Sequence, residues 1–404
     1  MKKGSLSDYF NGVAAKRLSA VEVDPASSHQ HEFTGISGFK SFLGNSGEKV
    51  RFPSRIIYLD DDNDRIISES IEVTWYDARL NHKTRSEFRL YYPDCAVMKS
   101  AAIGDLFLIC RMADDSLLLA IAPGGSTIEQ QLLWLFDIDL SLVNERYVVA
   151  DHRKFDSQKI GFANRTIIDH LGIVSNDHAD SFLESMLSKF KGQFPTTRVF
   201  SEYARMTLQE DVSPVEDPDY AIISWMDWEE LLFRTLERHH VDVRLKQGIH
   251  DVDDFISYSL SIQNRRKSRV GHALEHHLAT IFSSNNLKYA HGKHTENRSK
   301  PDFLFPGTDA YHDKKFPLKL LTMLGAKSTC KDRWRQVLSE AERIPEKHLF
   351  TLEPGISEHQ TREMQAQKLQ LVVPRQIHGS YTANQSSWLI DLKGFLEIVR
   401  NKQE

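Results

Sequence analysis

The chain has 404 residues, of which 40% are hydrophobic and 26% charged, with 20 Gly and 13 Pro. That composition excludes collagen-like, low-complexity and wholly disordered chains, and the length suggests two or three domains. Lys plus Arg is 51 against 56 for Asp plus Glu, a net charge of −5, which taken over the whole chain speaks against a nucleic-acid binder.

The N-terminus, Met1-Lys2-Lys3-Gly4-Ser5, is basic, but no apolar core follows it, so no signal peptide is expected. From about Arg55 to Ile121, short apolar runs alternate with turn residues. Ile56–Leu59, Ile71–Tyr76, Phe88–Tyr92, Leu106–Ile109 and Leu117–Ile121 read as strands, and several short strands with polar turns suggest a barrel or sandwich. Asp60 to Asp64 reads as a turn. Ser126 to Phe136 reads as a helix, capped by Ser126 with Glu129 completing the box. Gln209 to Asp219 (QEDVSPVEDPD) holds five acidic residues and two prolines and reads as a loop, so a domain boundary falls between about 175 and 220. Trp228 to Leu245 has helical periodicity.

The last third alternates helix and strand. Lys267 to Phe282 is helical, with Val270, Leu274, His277 or Leu278, and Ile281 on one face. Asp302–Phe305, Leu318–Ala326, His348–Leu352 and Leu369–Pro374 read as strands. Asp332–Ile344, Ser357–Leu369 and Ser387–Arg400 read as helices. An α/β layer with a mixed sheet follows. No stretch approaches the roughly 18 apolar residues that span a bilayer. The three cysteines, Cys95, Cys110 and Cys330, share no CxxC spacing, so neither a disulfide framework nor a Cys-based zinc site is expected, and the chain reads as soluble and cytoplasmic.

Pro301-Asp302 opens one strand of this region and Lys327 closes a later one. Glu340 lies on the adjoining helix, and Glu275 on the helix that precedes the unit. Carboxylates with a lysine suit phosphodiester hydrolysis, because Mg2+ prefers carboxylate oxygens and a lysine beside it can orient water and stabilise the transition state. The competing reading is a capping aspartate and a solvated lysine. Charge is unevenly spread: from Ser261 to Lys300 eight basic residues, among them Arg265, Arg266, Lys267, Arg269 and Arg298, face only Glu275 and Glu296, a local net of +6. Such a stretch suits a DNA backbone, or is simply a solvated face. Arg335 and Gln336 carry the side chains that read bases in a major groove, or mark an ordinary helix start. His272, His276 and His277 lack the HExxH spacing of a zinc site, and Pro123-Gly124-Gly125-Ser126 lacks the ending of a phosphate-binding loop.

The run Lys327 to Gln336 (KSTCKDRWRQ) resembles EcoRII-type restriction endonucleases. So do Asn264–Arg269, Lys300–Pro306, Ala310–Asp313 and His348–Leu352, in the same order and spacing. The resemblance covers roughly Phe194 to the C-terminus. It is fainter upstream, at Lys16–Ala20, Ser28-His29-Gln30 and Lys83–Arg89. It implies a multidomain chain, α/β plus mainly β: a B3-like pseudobarrel at 1–174 that binds DNA as an effector, a linker at 175–193, and a PD-(D/E)xK restriction-endonuclease-like α/β/α core at 194–404. The acidic residue usually found two before the lysine is displaced to the next helix, which matches Gly325 and Glu340 here. The resemblance thus implies Asp302 and Glu340 as ligands of Mg2+, Lys327 as the catalytic lysine, Glu275 as a supporting carboxylate and Tyr311 as an active-site tyrosine. Lys331, Arg333, Arg335 and Gln336 would contact DNA, with Arg265, Arg266 and Lys267 nearby. In the N-terminal domain the contacts would be His29 on one arm and Lys83, Arg85, Glu87 and Arg89 on the other, where Phe88 stands at a position that can be lysine. Trp225 or Trp228 would offer a platform for a flipped base. The implied activity is Mg2+-dependent double-strand cleavage at a palindromic CCWGG- or CCNGG-like site by a homodimer, with a cognate DNA methyltransferase in the same system. The rival readings are a nuclease acting in repair or on modified DNA, and a non-catalytic DNA-binding protein.

Overall fold

The computed structural model describes residues 5–23, 31–35, 37–61, 66–145, 147–150, 154–155, 161–173, 179–296 and 299–404. His29 and Arg298 lie outside these residues, as do the central residues of the Asp60–Asp64 turn. The chain divides into two compact units, residues 3–176 with 355–357, and 177–354 with 358–404.

The first unit is mainly β. Its strands are β1 (Phe10–Arg17), β2 (Glu32–Thr34), β3 (Val50–Tyr58), β4 (Ile67–Asp77), β5 (Phe88–Tyr91), β6 (Leu106–Met112), β7 (Leu117–Ala122) and β8 (Val148–Val149). They form one sheet in the order β2-β5-β4-β3-β7-β6-β1-β8, antiparallel except for the β3/β7 pair. The five expected strands are all present. Strand β1 was not expected, because Asn11-Gly12 and Ala14-Ala15 resemble a turn and a helix start more than a strand. Alternation decides which core each side chain joins. Along β7, Leu118 and Ala120 pack with the helix Thr127–Leu135, while Leu117, Leu119 and Ile121 pack with Trp75 and Phe107. The cap of that helix departs from a simple box: Ser126 accepts from Glu129 N at 3.0 Å, but the Glu129 carboxylate reaches back to Gly125 N and pairs with Arg17.

The second unit places a five-stranded mixed sheet beside a helical layer. The strands β9 (Ala290–His291), β10 (Phe303–Phe305), β11 (Thr322–Lys327), β12 (Lys347–Thr351) and β13 (Leu369–Val372) run in the order β13-β12-β11-β10-β9. Pairs β11/β12 and β12/β13 are parallel, and β9/β10 and β10/β11 antiparallel. The parallel pairs are bridged by the helices Trp334–Leu338 and Glu358–Ala366. The long helices Pro218–Gln247 and Val252–Ser284 begin at Asp217 and Asp251, whose carboxylates accept from Tyr220 N and Asp254 N at 2.9 and 2.8 Å. Pro218 fits the first helical position, where no amide hydrogen is needed. Within the acidic QEDVSPVEDPD segment, then, Asp217 is a cap. Asp219 is another: it is fully buried and accepts from Leu392 N and Lys393 N at the start of the helix Leu392–Gln403.

Five expectations need correction. The strand expected over Leu318–Ala326 begins only at Thr322, after a 3-10 turn at Leu318–Leu320, and the helix expected over Ser387–Arg400 begins only at Leu392, capped by Asp391. The 175–193 stretch is not a simple linker, because Asp180–Lys189 is a helix whose Met186 is buried with Trp228 and Phe233. The helix expected over Asp332–Ile344 ends at Leu338, after a 3-10 turn at Lys331–Arg333, and Ala341 at φ 48° breaks it. Trp225 and Trp228 are 5% and 3% exposed, the first against His277 and the second donating to Thr207 Oγ1 at 3.1 Å, so neither is a surface on which a base could stack.

Candidate active site

Phe282 sets the site's height. Its ring meets Phe303 and Phe305 edge-on at 5.0 and 5.2 Å, pinning the helix Val252–Ser284 against β10. Glu275 lies seven residues earlier, two turns back, toward the end of β10 where Asp302 stands. The antiparallel register Phe303↔Leu324 then brings Asp302 beside the end of β11. The Asp302 Oδ2 accepts from Ala326 N at 2.7 Å and from Lys327 Nζ at 2.9 Å. Asp302 and Lys327, separated by 24 residues in between, therefore form one ion pair in which each side chain is about one-sixth exposed, at 15% and 16%.

Glu340 joins them from the turn after the helix Trp334–Leu338. Its Oε2 is buried with no hydrogen-bond partner among the described residues. Burial and the nearby Asp302 charge push its carboxyl up to about 7, against the pull of Lys327 and Lys347. Gly325 explains why the acid comes from here. A Cβ at Gly325 would lie 2.9 Å from Val337 Cγ2, so the position two before the lysine is filled by the helix itself, and the carboxylate arrives from that helix's far end.

Glu275 completes the cluster without touching Lys327. His291 Nε2 lies 2.8 Å from its Oε2, and His272 Nδ1 lies 3.9 Å from its Oε1. Burial raises the Glu275 carboxyl, but the hydrogen bond and charge of His291, with His272 and Lys327 beyond, bring it below the usual carboxylate range. Tyr311 is fully buried and stands to one side. Its hydroxyl donates to the Glu296 carboxylate and accepts from Arg343 N at 3.3 Å, and burial with the Glu296 charge pushes its pKa up.

The residues fit a hard divalent cation. Asp302 and Glu340 converge, and one Glu340 oxygen has no protein partner, which is what a cation held by one or two carboxylates and several waters needs. Among the described residues no group of three or more His, Cys, Asp or Glu forms a metal cage, so a fully protein-enclosed site is not what these residues offer.

The residues expected to meet DNA divide sharply. Arg333 donates to Thr329 O and Oγ1 at 2.7 and 2.8 Å. Arg335 pairs with Glu363 at 2.8 Å and covers Trp334, while Gln336 is exposed. Lys331 takes a left-handed φ of 33°. In the basic stretch, Lys267 is exposed, Arg265 lies 4.2 Å over the Phe194 ring, and Arg266 pairs with Glu237. Arg269 is buried between Glu229 and Glu230. The local +6 therefore overstates the free charge, because Arg266 and Arg269 are answered by the preceding helix. In the first unit, Lys83 and Arg85 are exposed, but Glu87 pairs with Arg79 and Arg89, and Arg89 with Glu32 at 2.6 Å. The three histidines 272, 276 and 277 diverge: His277 is buried against Glu229 at 2.9 Å, while His272 is 61% exposed on its side chain.

Two residues at the site were not foreseen. His291 sits on a two-residue strand too short to show periodicity. Glu353 follows β12 and its carboxylate accepts from Cys330 N, fixing the turn that carries Lys331 and Arg333. The available signal was an acid at the end of the strand paired in parallel with β11, where Lys327 faces Thr351.

Residues 233–396 match the family described as EcoRII C terminal. A curated protein, the type II restriction enzyme EcoRII of Escherichia coli, is 44% identical over 181 residues, which is 45% of this chain and 45% of that protein. The chain thus matches less than half the length of that relative. Among solved structures, metal-depleted Ecl18kI in complex with uncleaved DNA is 18% identical, covering 55% of this chain and 84% of that one at a TM-score of 0.44. The UbaLAI restriction endonuclease B3 domain with cognate DNA covers 36% of this chain and 91% of that one, at 15% identity and a TM-score of 0.21. The similarity to that family is thus confined to residues 233–396, nearly all of them in the second unit.

Proposed function

We propose that the chain is a type II restriction endonuclease of the EcoRII type. It cuts both strands of a short palindromic CCWGG- or CCNGG-like site as a homodimer, and its N-terminal unit binds a second copy of the site as effector. The observation that carries this reading is the convergence of Asp302, Lys327 and Glu340, with a buried Glu340 oxygen that no protein group satisfies. The 44% identity to a restriction enzyme supports it.

Asp302 and Glu340 would hold Mg2+. When bound, the ion lowers the pKa of a water and offsets charge developing on the phosphate. Lys327 keeps its ammonium beside Asp302, where it can orient the attacking water and donate to the phosphate oxygens. Glu340 must shed its proton to serve, because burial holds it neutral up to about 7. Arg335 and Gln336 face solvent from one helix and would read base edges. Arg335 must first leave Glu363, an exposed pair worth about 0–1 kcal/mol, so the exchange costs little. Lys83 and Arg85 would contact phosphates of the effector copy, as would His29, and Arg89 and Glu87 would then act on those arms through their ion pairs. A methyltransferase protecting the same site completes the system.

Incubating the protein with unmethylated plasmid and Mg2+, then mapping the cut ends, tests the reading. Discrete fragments ending at one palindrome are expected. Cleavage confined to methylated DNA would point instead to a nuclease for modified DNA, and tight binding without cleavage to a non-catalytic role.

A further inference from the structure

The geometry points to His291 as a positioning residue of the nuclease site, one that holds Glu275 away from Lys327 so that the lysine stays with Asp302. This inference rests on the nuclease reading. His291 lies on β9 opposite Phe303, and its ring stacks on the Phe303 ring at 4.8 Å and 15°. Phe303 is the residue after Asp302. The next amide, Gly292 N, donates to the Asp302 carbonyl at 3.0 Å. The His291-Gly292 pair therefore grips the backbone of one catalytic carboxylate while its imidazole grips the side chain of another, at 2.8 Å from Glu275 Oε2.

An ionised carboxylate can only accept, so Nε2 is the donor. Four groups bear on Glu275: His291, His272 at 3.9 Å, Lys327, and His276, whose ring meets His291 edge-on at 6.5 Å. Of these, Lys327 is the reacting group. Without His291, the attraction between Glu275 and Lys327 is unopposed from the sheet side, because His272 is mostly exposed and comes no closer than 3.9 Å to Glu275. Glu275 would then swing toward the lysine and compete with Asp302 for it. The stacking on Phe303 fixes the imidazole plane, so the hydrogen bond is directional rather than a loose contact. The pattern matches the outer partners that orient ligands in metal sites, whose loss typically costs roughly 10- to 100-fold in activity.

The test uses the full-length protein. His291→Ala removes the donor, and His291→Gln restores an amide donor at nearly the same reach. Cleavage of a cognate plasmid is followed under saturating Mg2+ from pH 5.5 to 9. For His291→Ala we expect kcat to fall roughly 10- to 100-fold with KM for DNA within about threefold of the wild type. The acid limb of its pH profile should move upward, since burial then acts on Glu275 without the imidazole. His291→Gln should recover most of the lost kcat. A His291→Ala variant with wild-type kcat and an unmoved acid limb overturns the assignment. So does a His291→Gln variant that folds, as judged by circular dichroism, yet is no better than the alanine variant. If the wild type itself cuts no DNA, the nuclease reading falls and takes this inference with it, an outcome distinct from an active wild type with an indifferent His291.

Discussion

Two buried carboxylates in the second unit are treated in opposite ways. Glu229, in the helical layer, is fully enclosed. One oxygen lies 3.1 Å from Arg269 and the other 2.9 Å from His277, whose Nδ1 is in turn 2.9 Å from Arg205. Burial raises its carboxyl, yet His277 and Arg269 together bring it below its ordinary value. Glu340, beside the sheet, has a buried oxygen with no hydrogen-bond partner and, unlike Glu229, no cation within ion-pair distance among the described residues, and its carboxyl is raised to about 7. The helix Val252–Ser284 serves both neighbourhoods, turning Arg269 and His277 toward Glu229 and Glu275 toward Asp302 and Lys327. The contrast separates a structural charge from a chemical one. The first is neutralised by the chain's own cations, because an unpaired buried charge is costly to the fold. On the proposed reading, the second is left for a cation the chain does not supply.

The sharpest test acts on the unsatisfied side. Lys327→Ala should cut the single-turnover cleavage rate roughly 100- to 1,000-fold, the scale of losing one transition-state donor, while gel-shift affinity for DNA stays near the wild type. An active Lys327→Ala variant would remove the site from the sheet altogether. The paired side should respond in stability instead. Glu229→Ala leaves His277 buried without its carboxylate and Arg269 with Glu230 alone, and should cost about 3 kcal/mol in urea unfolding followed by tryptophan fluorescence, with Trp225 and Trp228 as reporters in that layer.

Glu340→Gln should divide the two roles by pH. The folded carboxyl titrates near 7 and the unfolded one near 4.5, so the folded state binds the proton more tightly. Its contribution to stability is full below about 4.5 and is lost as pH rises through 7. In EDTA, the variant should therefore melt higher than the wild type at pH 8, and the gain should vanish by about pH 4.5, while in Mg2+ the variant should lose the cleavage that the wild type shows. A wild type whose melting rises with Mg2+ at pH 8, beside a variant that does not respond, would complete the contrast. The smallest effect is expected at Arg335→Ala. Its exposed pair with Glu363 carries little stability, so melting should shift by no more than about 0–1 kcal/mol, while discrimination at one base pair should weaken by about 1–3 kcal/mol in competition binding.

Much of this was legible before any coordinates. Strands β4 and β5 show their alternation because one face lies in a core and the other does not, whereas β6 and β7 read as continuous apolar runs because each has one face in each of two cores. The long helices were legible only in part, over Trp228–Leu245 and Lys267–Phe282, and their capped starts at Asp217 and Asp251 were not. Asp302 and Lys327 sit where strand ends were expected. What failed were short or atypical elements. A two-residue strand at Ala290–His291 has no period to detect, and the helix Trp334–Leu338 stops short of the left-handed Ala341, which no side-chain pattern marks.

By itself, the sequence determined which residue types lie on which elements, and so the α/β layer, the mainly β unit and the order Asp302, Lys327, Glu340. These depend on periodicity and capping, which act over a few residues. Which charges are spent and which remain was decided by the tertiary structure alone. Arg269 and Glu229 lie 40 residues apart, Arg266 and Glu237 29, and Arg89 and Glu32 57. Packing the helices and sheets brings these pairs together, and a charge counted along the chain becomes an ion pair or a free site only then.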